Sequence, residues 1–345
     1  MEVGLKNNII LYCWAVFFIF IPRFTIADLI WKQNGATYNL THMGILKGIQ
    51  LPLSPDINNG ASSTFGGTAN NGVIPENRLL FINYQQYAVY DKLNDDKGTH
   101  VKPRFSASVY GNIFRILYAS PFTFADNQAR ILPEISIPFV TSRVDVHGDV
   151  FEKTGIGDIK AGISVFWNKM FSFKQVHFDG LIGADFSFPT GKYKKGHLNI
   201  GHNIYDALLF FETISVIDFP GKNALFFKNH FQYNYYDKNN DFINPVTHNK
   251  NSEYKFGHNF QYNYMIVYKF NDALGTGLAG FYNQQLSDDK MDGNKIKNSK
   301  EKSIGIGPII TYAKHIRCSL RTLFVLDSEN SPEGNVSTLI FNFMF

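Results

Sequence analysis

The sequence predicts an all-β protein: a transmembrane antiparallel β-barrel of about 12 strands in a bacterial outer membrane. Three observations carry that expectation. Aromatic residues alternate with polar ones along many short segments, the connections between those segments alternate short and long, and the chain ends on an alternating aromatic strand.

From the N-terminus, Lys6 gives a weakly basic start and Ile9 to Ile21 is an apolar run. Thr25-Ile26-Ala27 has the small residues of a cleavage site, so 1–27 reads as a secretory signal peptide with Asp28 opening the mature chain. The alternative is an uncleaved anchor, although the run is short of the roughly 20 apolar residues a spanning helix needs. Residues 28–76 lack strand patterning, and Asn58 to Gly67 is a flexible polar stretch. That segment is either a plug inside the barrel or a periplasmic extension. Residues 77–345 form the barrel.

Composition fits the same class. The chain carries 33 Phe and 18 Tyr, yet mean hydropathy is slightly negative and no second long apolar run exists. Barrel strands produce this combination, because lipid-facing and lumen-facing residues alternate and average out. Cys13 falls in the expected signal, leaving Cys318 without an intramolecular partner. A net charge of +4, spread along the chain, argues against nucleic acid as a partner.

Strand candidates lie near 78–90, 104–113, 130–143, 157–167, 176–188, 205–219, 225–237, 254–270, 273–287, 303–313, 319–327 and 336–345. In 254–270 the even positions, from Tyr254 through His258 and Tyr264 to Phe270, are mostly aromatic, and the odd ones mostly polar. The aromatic face is assigned to lipid and the polar face to the lumen. On the same basis Lys228, His230 and Gln232 face inward from 225–237, and His177, Asp179 and Asp185 from 176–188. In 104–113, Phe105, Ala107, Val109 and Ile113 are set toward lipid, with Arg104, Ser106, Ser108, Tyr110 and Asn112 toward the lumen. Lys160 completes the predicted lining.

Read backward from Phe345, the long connections are 328–335, 288–302, 238–253, 189–204, 144–156 and 91–102. The shorter ones are 314–318, 271–272, 220–223 and 168–174, with 119–129 longer than the rest. Long outer loops alternating with short periplasmic turns are the barrel signature. In the last strand Leu339, Phe341, Phe343 and Phe345 share one face, while Thr338, Ile340, Asn342 and Met344 share the other. A sandwich edge strand would alternate similarly. The segment is also similar to the closing strand of outer-membrane barrels, which implies that Phe341, Phe343 and Phe345 belong to the signal read by the barrel assembly machinery.

At Gly155-Ile156-Gly157-Asp158-Ile159, at Phe188-Pro189-Thr190-Gly191-Lys192-Tyr193 and at Asn199-Ile200-Gly201, the chain resembles the outer-membrane family named for the MetA pathway of phenol degradation. The resemblance spans roughly 75 to 345. It implies a transporter-like barrel, distantly like the fatty-acid and aromatic-hydrocarbon channels. The motif residues themselves read as architecture: Pro189 suits a strand end, and Thr190-Gly191 can turn the chain out of the barrel.

No catalytic motif such as G-x-S-x-G or H-E-x-x-H occurs, so the chain is not expected to be an enzyme. The resemblance points to a channel for passive uptake of small hydrophobic or aromatic compounds, with no nucleotide or metal cofactor. Its path would be lined by Arg104, Tyr110, Lys160, His177, Asp179, Asp185, Lys228, His230 and Gln232. A dedicated path for apolar solutes would use Phe166, Leu181 and Phe210, which fall on otherwise inward registers. The competing readings are a general porin, a lipase-like barrel using a rim histidine such as His258, and an adhesive barrel acting through its loops. Lys192, Lys194 and Lys195 are candidates to meet lipopolysaccharide phosphates at the outer surface.

Overall fold

The computed structural model describes residues 77–100, 105–146, 148–195, 197–221, 223–243, 252–313 and 317–345. The expected signal peptide at 1–27, the segment 28–76 and Arg104 lie outside the described residues. In chain order the strands are β1 (Arg78–Leu93), β2 (Phe105–Ala119), β3 (Thr123–Phe124), β4 (Ala129–Val146), β5 (Asp149–Ile156), β6 (Ile159–Phe173), β7 (Val176–Phe188), β8 (Asp206–Asp218) and β9 (Ala224–Tyr236). They continue as β10 (Lys238–Phe242), β11 (Ser252–Lys255), β12 (Asn259–Lys269), β13 (Leu274–Gln285), β14 (Lys290–Met291), β15 (Asn294–Lys295), β16 (Lys302–Ala313), β17 (Arg317–Glu329) and β18 (Pro332–Met344).

Twelve of these close a wall in the order β1, β2, β4, β6, β7, β8, β9, β12, β13, β16, β17, β18. The seam is β18 against β1, antiparallel from Leu80↔Met344 to Leu93↔Pro332. Closure gives each of these twelve strands a partner on both sides, which is what a membrane demands of a sheet. Along β12 the alternation is as expected: Asn259, Gln261 and Asn263 are buried inside, while Phe260, Tyr262, Ile266 and Tyr268 lie on the outer face. On β18, Leu339, Phe341, Phe343 and Phe345 take the outer register, and Phe343 packs on Phe81 across the seam. Exposed Leu79, Ile163, Ile182, Leu278, Ile310 and Leu320 spread this apolar outer surface around the wall. A barrel with this surface and this closure is a bacterial outer-membrane protein.

The structure corrects several expectations. β2 has the opposite register: Phe105, Ala107, Val109, Ile113, Arg115 and Leu117 are buried inside. Tyr110 therefore faces outward, opposite Tyr87, which is 52% exposed. The reason is that the lumen is apolar at that level, so alternation alone did not say which face was which. The 254–270 segment is two strands, broken at 256–258, with β11 leaving the wall for an outer sheet in the order β10, β11, β14, β15. The outer connection expected at 328–335 is a tight Asn330-Ser331 turn, and 144–156 is mostly the β4–β5 hairpin. In the outer sheet Tyr254 donates to Asp289 Oδ2 at 2.5 Å. Burial, and then that carboxylate, push the Tyr254 hydroxyl well above its ordinary pKa.

Candidate functional site: the barrel lumen and its outer closure

The middle of the lumen combines ion pairs with apolar packing. Arg115 on β2 pairs with Glu134 on β4, both essentially inaccessible to solvent. Gly162 lies between Glu134 and Asp185 in the cross-strand register, and the missing side chain gives the Asp185 carboxyl its space. On the other side Lys228 Nζ and His230 Nδ1 each lie 3.2 Å from Glu212 Oε2. His230 also reaches Gln232, which donates to Asn234 at 2.8 Å. These central charges thus meet opposite charges from neighbouring strands. Buried pairs of this kind are costly to break and worth little as net stabilisers.

Between these pairs Leu80, Ile82, Ile113, Leu132, Leu208 and Ile340 form an apolar cluster with Phe166, Leu181 and Phe210, each of those three at most 4% exposed. Phe210 also stacks on the His230 ring, centroids 5.7 Å apart. The three residues named from the sequence as an apolar path therefore meet in one place.

The remaining predicted lining residues divide. Lys160, Asp185, Lys228, His230 and Gln232 lie on inward registers. Asp179 is inward and buried, but its carboxylate accepts from Lys169 N at 2.8 Å and holds the bulge in β6. His177 sits near the periplasmic end, 3.7 Å from Asp218. Arg115, Glu134 and Glu212 were missed. Glu134 and Glu212 each interrupt a largely apolar strand, which was the available signal.

At the outer mouth residues 189–195 and 197–205 fold against the barrel, and here the three family-like motifs converge. Asp158 stands at the break between β5 and β6. Its Oδ1 accepts from Gly191 N at 2.8 Å, its Oδ2 from His202 N at 2.7 Å, and the His202 ring lies 3.3 Å from Oδ2. Thr190 Oγ1 accepts from Ile159 N at 2.9 Å. Gly191 and Gly201 touch backbone to backbone; a Cβ on Gly201 would lie 2.7 Å from Gly191 Cα. Asn199 pins the loop's own turn, accepting from Lys194 N and donating to Lys194 O and His197 O. Leu198 and Ile200 then pack against Val140, Val144, Phe105 and Val109 inside the barrel. Thr190-Gly191 thus turns the chain inward, not out of the barrel as the sequence suggested.

This loop also fills a gap in the wall. Among the described residues β5 pairs with β4 alone. On its other side the loop bridges across: Lys192 N donates to Ile156 O, Tyr193 donates to Asp241 O at 2.7 Å, and Lys195 pairs with Asp241 at 2.6 Å. The Lys195 charge is thereby partly used within the protein, while Lys192 and Lys194 are exposed. At the rim, the His258 ring is bonded to the Tyr233 hydroxyl. The nearby Ser287 hydroxyl accepts from the His258 backbone N–H at 3.0 Å, not from the ring, so these two residues are not arranged as a nucleophile and its base.

A twelve-stranded outer-membrane barrel with a packed, charge-paired lumen and an infolded outer loop is the class that fold and site define. The family model described as "Putative MetA-pathway of phenol degradation" matches residues 90–335, and the chain belongs to that family. Among solved structures, the COG4313 outer membrane channel from Pseudomonas putida F1 is similar at 16% identity and a TM-score of 0.66, covering 79% of this chain and 97% of that one. The translocator domain of the autotransporter NalP from Neisseria meningitidis aligns at 7% identity and a TM-score of 0.46, covering 89% of this chain and 100% of that one. The Pseudomonas putida toluene transporter TodX aligns at 6% identity and a TM-score of 0.35, covering 79% of this chain and 89% of that one. The likeness to the COG4313 channel speaks to the barrel fold alone. No curated protein matches the chain.

Proposed function

We propose that this barrel is a passive channel for small hydrophobic or aromatic compounds crossing the outer membrane, and not an enzyme. The observation that carries the reading is the apolar lumenal cluster around Phe166, Leu181 and Phe210. A general porin needs a continuous water-lined passage, whereas here Leu132, Leu208, Ile113 and Ile340 are buried in one apolar cluster inside the barrel. An apolar solute exchanges water for apolar contacts in such a lumen, and the flanking charges are already paired. The loop 189–205 is the gate, and Asp158 is its latch. Because β5 lacks a second strand neighbour, release of the loop opens a path sideways toward lipid as well as into the lumen. The protein named from Pseudomonas putida F1 is a channel by its description, which supports the same reading.

Around this core we read 1–27 as the secretion signal, Phe341, Phe343 and Phe345 as contacts for the assembly machinery, and Lys192 and Lys194 as contacts for lipopolysaccharide phosphates. The test is entry of radiolabelled toluene and of arabinose into vesicles with a lipopolysaccharide outer leaflet. Toluene entering faster than arabinose, and faster still in Asp158→Ala, is the expected result. Equal entry of both would make the barrel a general porin and overturn the proposal.

A further inference from the structure

The inner end of the lumen holds a cavity that is open at its mouth. It lies between strands β8, β9, β12, β13, β16, β17 and β18, on the periplasmic side of the ion pairs. Ile214, Phe226, Met265 and Val267 give it apolar walls. Its charged lining has one sign: Lys228, Lys269 and Arg317 line it, and among the described residues no Asp or Glu does. Lys228 is met by Glu212 from outside the cavity, at 3.2 Å. Arg317, on the inward register of β17 and opposite Asn342, has no carboxylate partner among the described residues. Two residues along the same face, Ser319 is 6% exposed and lines the cavity, and its hydroxyl has no hydrogen-bond partner among the described residues.

A buried hydroxyl without a partner is costly in an apolar chamber, and a half-buried guanidinium with no carboxylate beside it faces the same space. One ligand chemistry satisfies both and also uses the walls: a small apolar body bearing a carboxylate. The guanidinium fork accommodates a carboxylate in two parallel hydrogen bonds, and the serine hydroxyl can donate a further one. A neutral hydrocarbon would leave Arg317 unpaired, and inorganic phosphate would leave the walls unused. We propose that this cavity is a binding site for small aromatic or aliphatic carboxylates, with Arg317 and Ser319 on the carboxylate and Ile214, Phe226 and Met265 on the apolar body. The proposal rests on reading the barrel as a solute path and narrows its cargo to organic acids, held at the periplasmic exit.

The test is equilibrium dialysis of the full-length barrel in detergent against radiolabelled p-toluate and its neutral isostere p-toluamide, with protein-free micelles as the blank. The expected result is saturable toluate binding at least ~10-fold tighter than toluamide, weakened by salt. Arg317→Gln should abolish that preference and Arg317→Lys should restore part of it, both checked for folding by heat-modifiable migration on gels. Toluate binding no tighter than toluamide in the unmodified protein overturns the proposal without any variant, as does an unchanged preference in folded Arg317→Gln. The binding measurement is independent of flux. Arg317-dependent toluate binding alongside absent toluene entry would retain the site and discard the channel reading. Toluene entry without toluate preference would do the reverse.

Discussion

The centre of the lumen and its outer closure are both built from buried charge, but the charge is used in opposite ways. At the centre, charged side chains from neighbouring strands of the wall answer one another: Arg115 with Glu134, and Glu212 with Lys228 and His230. Every partner there is fixed to a strand that pairs along its length, so the arrangement cannot open without opening the wall. At the outer mouth a single carboxylate, Asp158, gathers backbone N–H groups from Gly191 and His202 on a segment that is not itself part of the wall. Releasing that one group would remove the loop's charged anchor without breaking any strand pairing of the wall. On the proposed reading, the difference separates a permanent element, which would set what the lumen accepts, from a releasable one, which would set when it is open.

Substitutions can break or sharpen this contrast. The largest effect is expected at the centre. Arg115→Met leaves the buried Glu134 carboxylate without its cation and should lower stability by about 3–5 kcal/mol, read as an earlier urea midpoint in lipid vesicles. Asp158→Ala should cost less, about 2–3 kcal/mol, because its donors are left without a charged acceptor. It should also raise single-channel conductance in planar bilayers, which Arg115→Met at equal folded fraction should not do. If both variants raise conductance equally, the distinction between fixed centre and releasable loop is wrong. Gly201→Ala places a methyl group against the Gly191 backbone and should loosen the same loop at about 1–3 kcal/mol, seen as faster proteolysis between 189 and 205. Lys195→Ala removes an ion pair whose Asp241 partner is mostly exposed, so its effect on stability should stay below ~1 kcal/mol.

The wall was legible where one face was aromatic and the other polar. β9, β12 and β18 follow the register read from their residues because Phe231, Tyr262 or Phe343 on one side and His230, Gln261 or Asn342 on the other have no ambiguity of place. β2 inverted the rule. Its apolar Phe105, Ala107 and Val109 turn inward to meet Ile200, a contact supplied by a loop almost a hundred residues later in the chain and invisible to alternation. The same distance hid the latch. The motifs around Asp158, Gly191 and Gly201 stood out as short patterns, but the bonds that unite them span 33 and 44 residues. Periodicity reports what a strand does locally, and it carries no information about which loop returns to fill the barrel.

The central claim is that an apolar lumen behind a releasable loop passes small hydrophobic solutes. The measurement that tests it most directly is toluene and arabinose entry into lipopolysaccharide-faced vesicles, compared between the unmodified barrel and Phe210→Asp at matched protein density. The account predicts preferential toluene entry that Phe210→Asp reduces by ~10-fold or more, because a carboxylate then sits in the apolar cluster. Toluene entry unchanged by Phe210→Asp, or equal to arabinose entry in the unmodified barrel, would contradict it.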